Sequence, residues 1–544
     1  MRKCWVFLLA FLLWLPVTVK AQPSTQELLK RIDELSRELK ALKRQLQEVQ
    51  EAQEDQEEVA EKVEEMQENM GKLKFWGDMR VRMDSTRAHV PSYWLPTSSG
   101  GYALQEASTR ENDTLYTTRM RLNARVKPTE NTVVKMRLAF YKIWGMGDDY
   151  ITPGLFMGMG MQNNFTYGVR PSDTTLQVDR AYFNWTNIGG YPIWVSFGRR
   201  PTTHGPPRQL REGLAYEDRE ATPSGINFDV PFDGATIGYQ YSWPWTGRIR
   251  ICYGRGFESG FKMPIDRAKD DIDFYGIAWD VLDDRDRDML LVIQAFKAEG
   301  VMDFPSGKIY MRSPFEVYNP QTGSHVPMGY QETYVTTQTN LGDIYEIGAT
   351  WMHQVDLPLW GLKDVDYFVS FGLSITDPDA WSTWISNNMG MYVSLLAGPY
   401  FQGQIPSDAL DTKRGWALWL GTRIPIPQLH SKLGLEYNYG SRYWIPFAIG
   451  TDDPYMDKIA TRGHVAEVYW IWDLPTGEPL TKYSRTFLRL GFQYYWFNYT
   501  GSASWLGTPV AIKKGLTDPN QPPQVFSAPI EKMSNFYMSL EMYF

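Results

Sequence analysis

The sequence predicts an all-β transmembrane barrel of about sixteen antiparallel strands in a meander, preceded by one long α-helical segment of coiled-coil type. Three observations carry that fold class. From Phe75 to Phe544 apolar residues recur at every second position, the period of a strand with one greasy and one wet face. The connections between these segments alternate between short and long, as in a meander whose two ends face different compartments. From Ser24 to Met70, by contrast, the chain has neither Gly nor Pro and is dense in Glu, Gln, Lys and Leu.

Residues 1–21 read as a secretory leader. Arg2 and Lys3 precede an apolar run over 4–17, and Val19 and Ala21 suit cleavage before Gln22. The run is short for a spanning helix, which disfavours a membrane anchor. Cys4 lies within the run rather than after it, so it does not suit lipidation. Once the leader is removed Cys252 stands alone, which excludes an intramolecular disulfide and cysteine-based metal or haem motifs. The formal net charge of −8 becomes more negative when Arg2, Lys3 and Lys20 leave with the leader. Such an acidic chain argues against nucleic acid as a partner.

Residues 22–73 form the second predicted domain, a coiled coil. Ser24 and Glu27 make a capping box with Pro23 just outside it. Leu28, Ile32, Leu35, Leu39, Leu42, Leu46 and Val49 then alternate steps of four and three, a heptad seam. The seam weakens at Gln53 and Gln56 and resumes in a shifted phase at Val59, Val63, Met66, Met70 and Leu73. A lone helix cannot bury such a stripe, and the chain offers no second helix, so the expected partners are other copies of the chain, and the mixed Ile and Leu seam does not fix two strands against three. A flexible charged linker would not need a continuous seam.

Residues 74–544 form the predicted barrel. The alternating segments centre near Arg80, Arg121, Arg137, Ala181, Val195, Gly238, Ile251, Gly276, Ile293, Gly348, Phe371, Leu420, Leu435, Val468, Gly491 and Leu540. Short connections include 127–132, 187–192, 244–247, 283–287 and 427–432; long ones are 87–113, 145–174, 201–233, 300–342, 376–413 and 503–533. Trp144, Trp185, Trp243, Trp279, Trp444 and Trp472 lie near strand ends, where the aromatic girdles of a membrane barrel fall. Closure also removes the sheet edges that an open meander of this length would expose.

These features resemble a Gram-negative outer-membrane porin. The final FYMSLEMYF, with Phe536, Met538, Leu540, Met542 and Phe544 at alternate positions, resembles the C-terminal signature read by the outer-membrane assembly machinery. DRAYFNW (179–185) followed by VSFGRRP (195–201) resembles the paired strands of several porin families. More narrowly, the chain resembles porin-like proteins in which a coiled coil precedes the barrel. The resemblance implies an outer-membrane location in contact with lipid, a water-filled channel for passive or mildly selective diffusion, and a homotrimer held by coil and barrel. An even strand count puts both barrel ends on the short-turn, periplasmic side, so the coil is expected in the periplasm.

Alternation names the inward residues. Arg80, Arg82, Arg119, Arg121, Arg125, Lys135, Arg137, Arg180, Arg200 and Arg250 form a basic lining, with Asp78 and Asp84 the clear acids among them. Glu346, Glu436 and Glu467 give the later strands a more acidic side, with Arg489 breaking the trend. Charge lining sets selectivity in a wide pore, although inward charges also serve simply to meet water and many are expected to pair with each other. Connection 201–233 carries His204, Arg208, Arg211, Glu212, Glu217, Asp218, Arg219 and Glu220. In the porins this chain resembles, the connection at that place folds inward, which would make it a constriction for small polar or anionic solutes rather than an ordinary surface loop.

No nucleophile–base pair, paired catalytic carboxylates or metal-ligand spacing stands out, so neither an enzyme nor a cofactor is expected. MGMGM (157–161) and NNMGM (387–391) are better read as flexible loop than as thioether copper ligands. Two further function classes stay open. One is a structural protein that ties the membrane to peptidoglycan through its coil, and the other is a secretion or electron-transfer conduit.

Overall fold

Each alternating segment of the sequence pairs with the next along the chain, and the last pairs with the first. The computed structural model describes residues 73–96, 102–145, 176–213, 222–223, 225–231, 233–259, 270–285, 289–303, 309–319, 324–335, 339–448, 453–477, 484–516 and 529–544. Before them it describes only Lys30, Asp33, Ser36, Arg37, Lys40 and Lys43. The chain divides into two units, Met1–Lys72 and Leu73–Phe544.

In the first unit the six described residues are helical and exposed, and Arg37 meets Asp33 one turn away at 3.6 Å. The leader and the heptad seam (Leu28, Ile32, Leu35, Leu39, Leu42, Leu46, Val49) lie outside the described residues.

The second unit is a closed antiparallel barrel of sixteen strands. They are β1 (Leu73–Val90), β2 (Ser108–Thr129), β3 (Thr132–Ile143), β4 (Gln177–Trp185), β5 (Ile193–Arg199), β6 (Asp233–Tyr241), β7 (Gly247–Phe257) and β8 (Ile272–Asp284). The second half comprises β9 (Met289–Met302), β10 (Asn340–Leu357), β11 (Leu362–Pro378), β12 (Lys413–Ile426), β13 (Ser431–Gly440), β14 (Gly463–Asp473), β15 (Arg485–Phe497) and β16 (Lys532–Tyr543). Every segment centre read from the sequence falls within its own strand. β16 runs beside β1 in register from Asp78↔Tyr543 to His89↔Lys532, and Gly77 and Phe544 exchange backbone hydrogen bonds of 2.8 and 3.0 Å. Leaving no free edge satisfies the backbone where water is absent.

The eight connections that follow the odd-numbered strands are the long ones, and the two that the sequence did not mark as long are 258–271 and 441–462. Both barrel termini lie at the other, short-turn end.

Alternation sorts the side chains as expected. On β16 Phe536, Met538, Leu540 and Met542 face outward and are about two-fifths exposed, while Tyr537, Ser539 and Glu541 face inward and are at most 1 % exposed. Leaving one such large apolar side chain in water forgoes about 1.5–3 kcal/mol. A row of them on every strand therefore marks the outer wall as a lipid-facing surface. Trp144, Trp185, Trp243, Trp279 and Trp472 lie on that outer surface, whereas Trp444 does not. Trp444 is fully buried inside the barrel, where its indole N–H donates to the Ile459 carbonyl at 2.7 Å.

The interior holds an apolar core of its own. Ile385, Val393, Leu395, Leu396, Trp505 and Leu506 come from long connections and pack against Phe274, Ala298 and Ile344 of the wall. The connection between β11 and β12 contributes a short helix (Thr383–Met389) and a hairpin (Met391–Ser394 with Ala397–Phe401). The meander is thus not free of helix, because loops folded into a barrel can bury a short helical face.

Candidate functional site

The connection between β5 and β6 leaves the wall at Arg200 and crosses the lumen. Residues 200–213 are buried throughout. Its start is fixed by Thr202, whose hydroxyl donates to the Val230 carbonyl at 2.6 Å, and by the His204 N–H, which donates to Asp229 at 2.8 Å. His204 adopts a left-handed backbone (φ 61°), which turns the chain toward the far wall.

Beyond that turn the segment is held by charge. Arg208 pairs with Asp457 at 2.6 Å and faces Asp229 at 3.4 Å. Arg211 pairs with Asp453 at 2.5 Å and donates to Glu467 of β14 at 2.8 Å. Glu212 accepts from His204 and lies 3.4 Å from Arg121 of β2. The backbone carbonyls are held too. Arg423 of β12 donates to that of Leu210 at 3.2 Å, Arg489 of β15 to that of Arg211 at 2.6 Å, and Arg485 to that of Gly213. One connection thereby touches both halves of the wall.

The connection between β13 and β14 enters from the opposite side. Phe447–Ala448 pairs in parallel with Phe228–Asp229, so two long connections join by backbone hydrogen bonds inside the barrel. Lys458 of this segment pairs with Glu436 at 2.5 Å and also with Glu467. Burial alone would push the Asp453 carboxyl up, but Arg211 holds it below the usual carboxylate range. Burial likewise opposes the charge on Arg211, yet Asp453 and Glu467 outweigh it and raise its pKa. Burial pulls His204 down to about 3, so the imidazole is neutral and donates Nδ1–H to Glu212. Such groups are costly to bury unless paired, and here nearly all of them are.

All ten residues of the predicted basic lining face inward, but most do not stand free. Asp78 accepts from Arg121 at 2.7 Å and from Arg119 at 3.2 Å. Arg82 makes a double hydrogen bond to Asp84 at 2.8 and 2.7 Å. Arg137 pairs with Asp179, and Arg250 with Asp280 at 2.6 Å. Arg80 donates to the Tyr141 hydroxyl at 2.9 Å. Arg180 donates to the Thr203 carbonyl at 2.8 Å, and Arg200 lies over the Tyr182 ring at 5.8 Å. Arg125 and Lys135 are half-buried nearer the short-turn end. On the acidic side Glu436 and Glu467 meet Lys458, and Glu346 accepts from Asn227 at 2.8 Å. Glu217, Asp218, Arg219 and Glu220 lie outside the described residues.

Several interior charges lie outside the predicted lining. Asp280, Asp366 and Glu541 have inward parity and were there to be read. Asp179 was hidden by a register shift between Arg137 and Leu138, which turns both Asp179 and Arg180 inward. Asp229, Asp453, Asp457 and Lys458 belong to connections, where alternation says nothing. Among the described residues no cluster of His, Cys, Asp and Glu is arranged to hold a metal ion.

Fold and interior define a class: a lipid-girdled barrel of sixteen strands into whose lumen described parts of several long connections fold. The chain belongs to the family described as "Protein of unknown function (DUF3373)", whose model matches residues 109–544. A search of curated proteins found no match. Similar solved structures include porins and other outer-membrane proteins. An anion-selective porin from Comamonas acidovorans is 10% identical over 87% of this chain and 99% of its own, with a TM-score of 0.38. The outer-membrane channel DcaP of Acinetobacter baumannii is 10% identical over 87% of this chain and 97% of its own, with a TM-score of 0.36. Salmonella typhi OmpF, in complex with daunomycin, is 8% identical over the same shares of the two chains, also with a TM-score of 0.36.

Proposed function

We propose that the protein is an outer-membrane channel for small polar and anionic solutes, in which the connection between β5 and β6 is the constriction. The observation that carries this reading is the path of that connection, from Arg200 across to Glu467 and Arg489, within a closed barrel with an apolar outer wall. A solute crossing the lumen must pass a segment that presents both signs of charge. Because interior connections narrow the lumen, solute flow is small or needs their movement. That differs from the wide aqueous bore expected of a barrel with this many strands.

Purified mature protein in planar bilayers tests the proposal. Discrete conductance steps with a preference for anions are expected, and their absence at every voltage would count against a channel.

The coil, by its seam, associates copies of the chain in the periplasm, with a trimer as the working model. The terminal Phe536–Phe544 row serves as the signal for the assembly machinery. A second reading gains from the filled lumen, since a barrel that is mainly an anchor has no need of an open bore. In that reading the coil reaches toward peptidoglycan. Deleting 24–70 separates the two: conductance persists if the barrel is a channel, and envelope integrity falls if the coil is a tether. The same filling counts against a conduit that sheathes a partner protein.

A further inference from the structure

Between the infolded connection and β7–β9 lies a cavity of about 80 Å³. Its origin is in the wall. Three register rows face it, namely Arg250–Ala278–Gln294, Cys252–Gly276–Phe296 and Gly254–Phe274. Gly254, Gly276 and Ala278 carry little or no side chain, so the floor is low where neighbouring sectors are filled by Arg, Tyr and Trp.

The lining is graded along the strands. Toward the long-connection end, Phe228 meets Phe274 at 5.9 Å and Phe296 at 5.3 Å, both edge to face. Toward the short-turn end lie Gln294 and Arg250. Arg250 is 2 % exposed, and while its Nη2 reaches Asp280 at 2.6 Å, its Nε has no hydrogen-bond partner. Asp280 is shared with Arg248, which also faces Asp283, and Arg200 adds its positive charge beside Arg250 and Arg248.

An apolar body capped by a cationic group with one unsatisfied N–H is the pattern of a small-ligand site. We propose that this cavity binds a small amphipathic anion, with its ring or short chain among the Phe side chains and its carboxylate at Arg250. The inference goes beyond the channel reading and does not depend on it, because it concerns binding rather than flow.

Cys252 lines the cavity and is the only cysteine after Cys4, so it reports on occupancy. The experiment measures the rate at which N-ethylmaleimide labels Cys252 in the full mature protein, folded in detergent. Benzoate is expected to slow labelling about fivefold or more, by mass action. Acetate, which lacks the body, and benzyl alcohol, which lacks the charge, should each slow it less than about twofold. Arg250→Gln should remove the advantage of benzoate over benzyl alcohol. Should that variant fail to fold, Ala278→Leu fills the floor without touching an ion pair and should abolish protection by both. Equal protection by acetate and benzoate, protection that survives Ala278→Leu, or a Cys252 that no maleimide reaches would each overturn the proposal. Conductance is not read in this assay, so a silent bilayer leaves its result standing.

Discussion

The Arg211 Nε donates to the Glu467 Oε1 at 2.8 Å, although 256 residues separate them in the chain. The same guanidinium reaches Asp453 at 2.5 Å, so one side chain ties the β5–β6 connection to the wall and to a second connection. Removing one partner of a buried pair leaves the other uncompensated, at a cost of about 3–5 kcal/mol. Arg211→Met should therefore lower the melting temperature of the detergent-folded barrel and, in the channel reading, raise single-channel conductance. A variant with unchanged melting and conductance would show that the clamp holds nothing.

His204 makes the interior sensitive to acid. Burial holds its pKa near 3, below that of a free imidazole, and it faces Glu212, Arg119, Arg121 and Asp179. The unfolded chain takes up a proton below about pH 6.5 that the folded one refuses until about pH 3. The stability this group contributes is thus complete above the unfolded value and is lost as pH falls through that window. Melting temperature should drop between about pH 6.5 and pH 4.5, above the range where ordinary carboxylates titrate. His204→Gln should flatten that part of the curve. An unaltered slope in the variant would place the acid sensitivity elsewhere.

Leu540 tests the outer wall. It projects outward between Val81 of β1 and Leu488 of β15, and it is 43 % exposed. Arginine on the lipid face at mid-depth costs about 2–4 kcal/mol. Ser539 points inward beside it and donates to Glu541 at 2.8 Å, a bond whose loss costs about 1 kcal/mol. In denaturant unfolding from lipid vesicles, Leu540→Arg should destabilise the barrel by more than Ser539→Ala. The reverse order would mean that this face does not meet lipid.

How much could be read in advance follows from the length scale of each rule. Period-two alternation acts within one strand, and it was enough to assign Arg121 and Glu467 to the interior and Phe536 and Leu540 to the exterior. It failed at Asp179, where a single register shift inverts the parity. It also failed at Trp444, which sits past the end of β13 in a segment that turns inward. Nothing local could pair Arg208 with Asp457 or Arg211 with Asp453, because both partners lie in connections that meet only once the barrel closes. Which partners the basic lining meets is beyond local rules for a related reason. Parity gives direction but not company, and the interior acids that neutralise most of that lining come from strands and loops far away in sequence.

That company decides where selectivity resides. Arg82 is matched by Asp84, and both side chains are fully buried, so the pair adds little net field to the lumen. Arg180 and Arg200 make no ion pair among the described residues, Arg180 only sharing the field of Asp179 with Arg137, so the group keeps a net positive charge, and each is 5 % exposed. They extend the row begun by Arg137 across β4 and the end of β5, next to the point where the infolded connection departs. An uncompensated charge beside the path of an ion raises the local concentration of counter-ions. Replacing Arg180 and Arg200 with Gln should shift the reversal potential in a salt gradient toward cation preference, with single-channel conductance changed less than about twofold. Replacing Arg82 and Asp84 together with Met and Leu, a neutral swap of a neutral pair, should leave the reversal potential where it was. If the Arg82/Asp84 variant moves the potential as far as the Arg180/Arg200 variant does, then selectivity follows the whole wall rather than its unpaired charges.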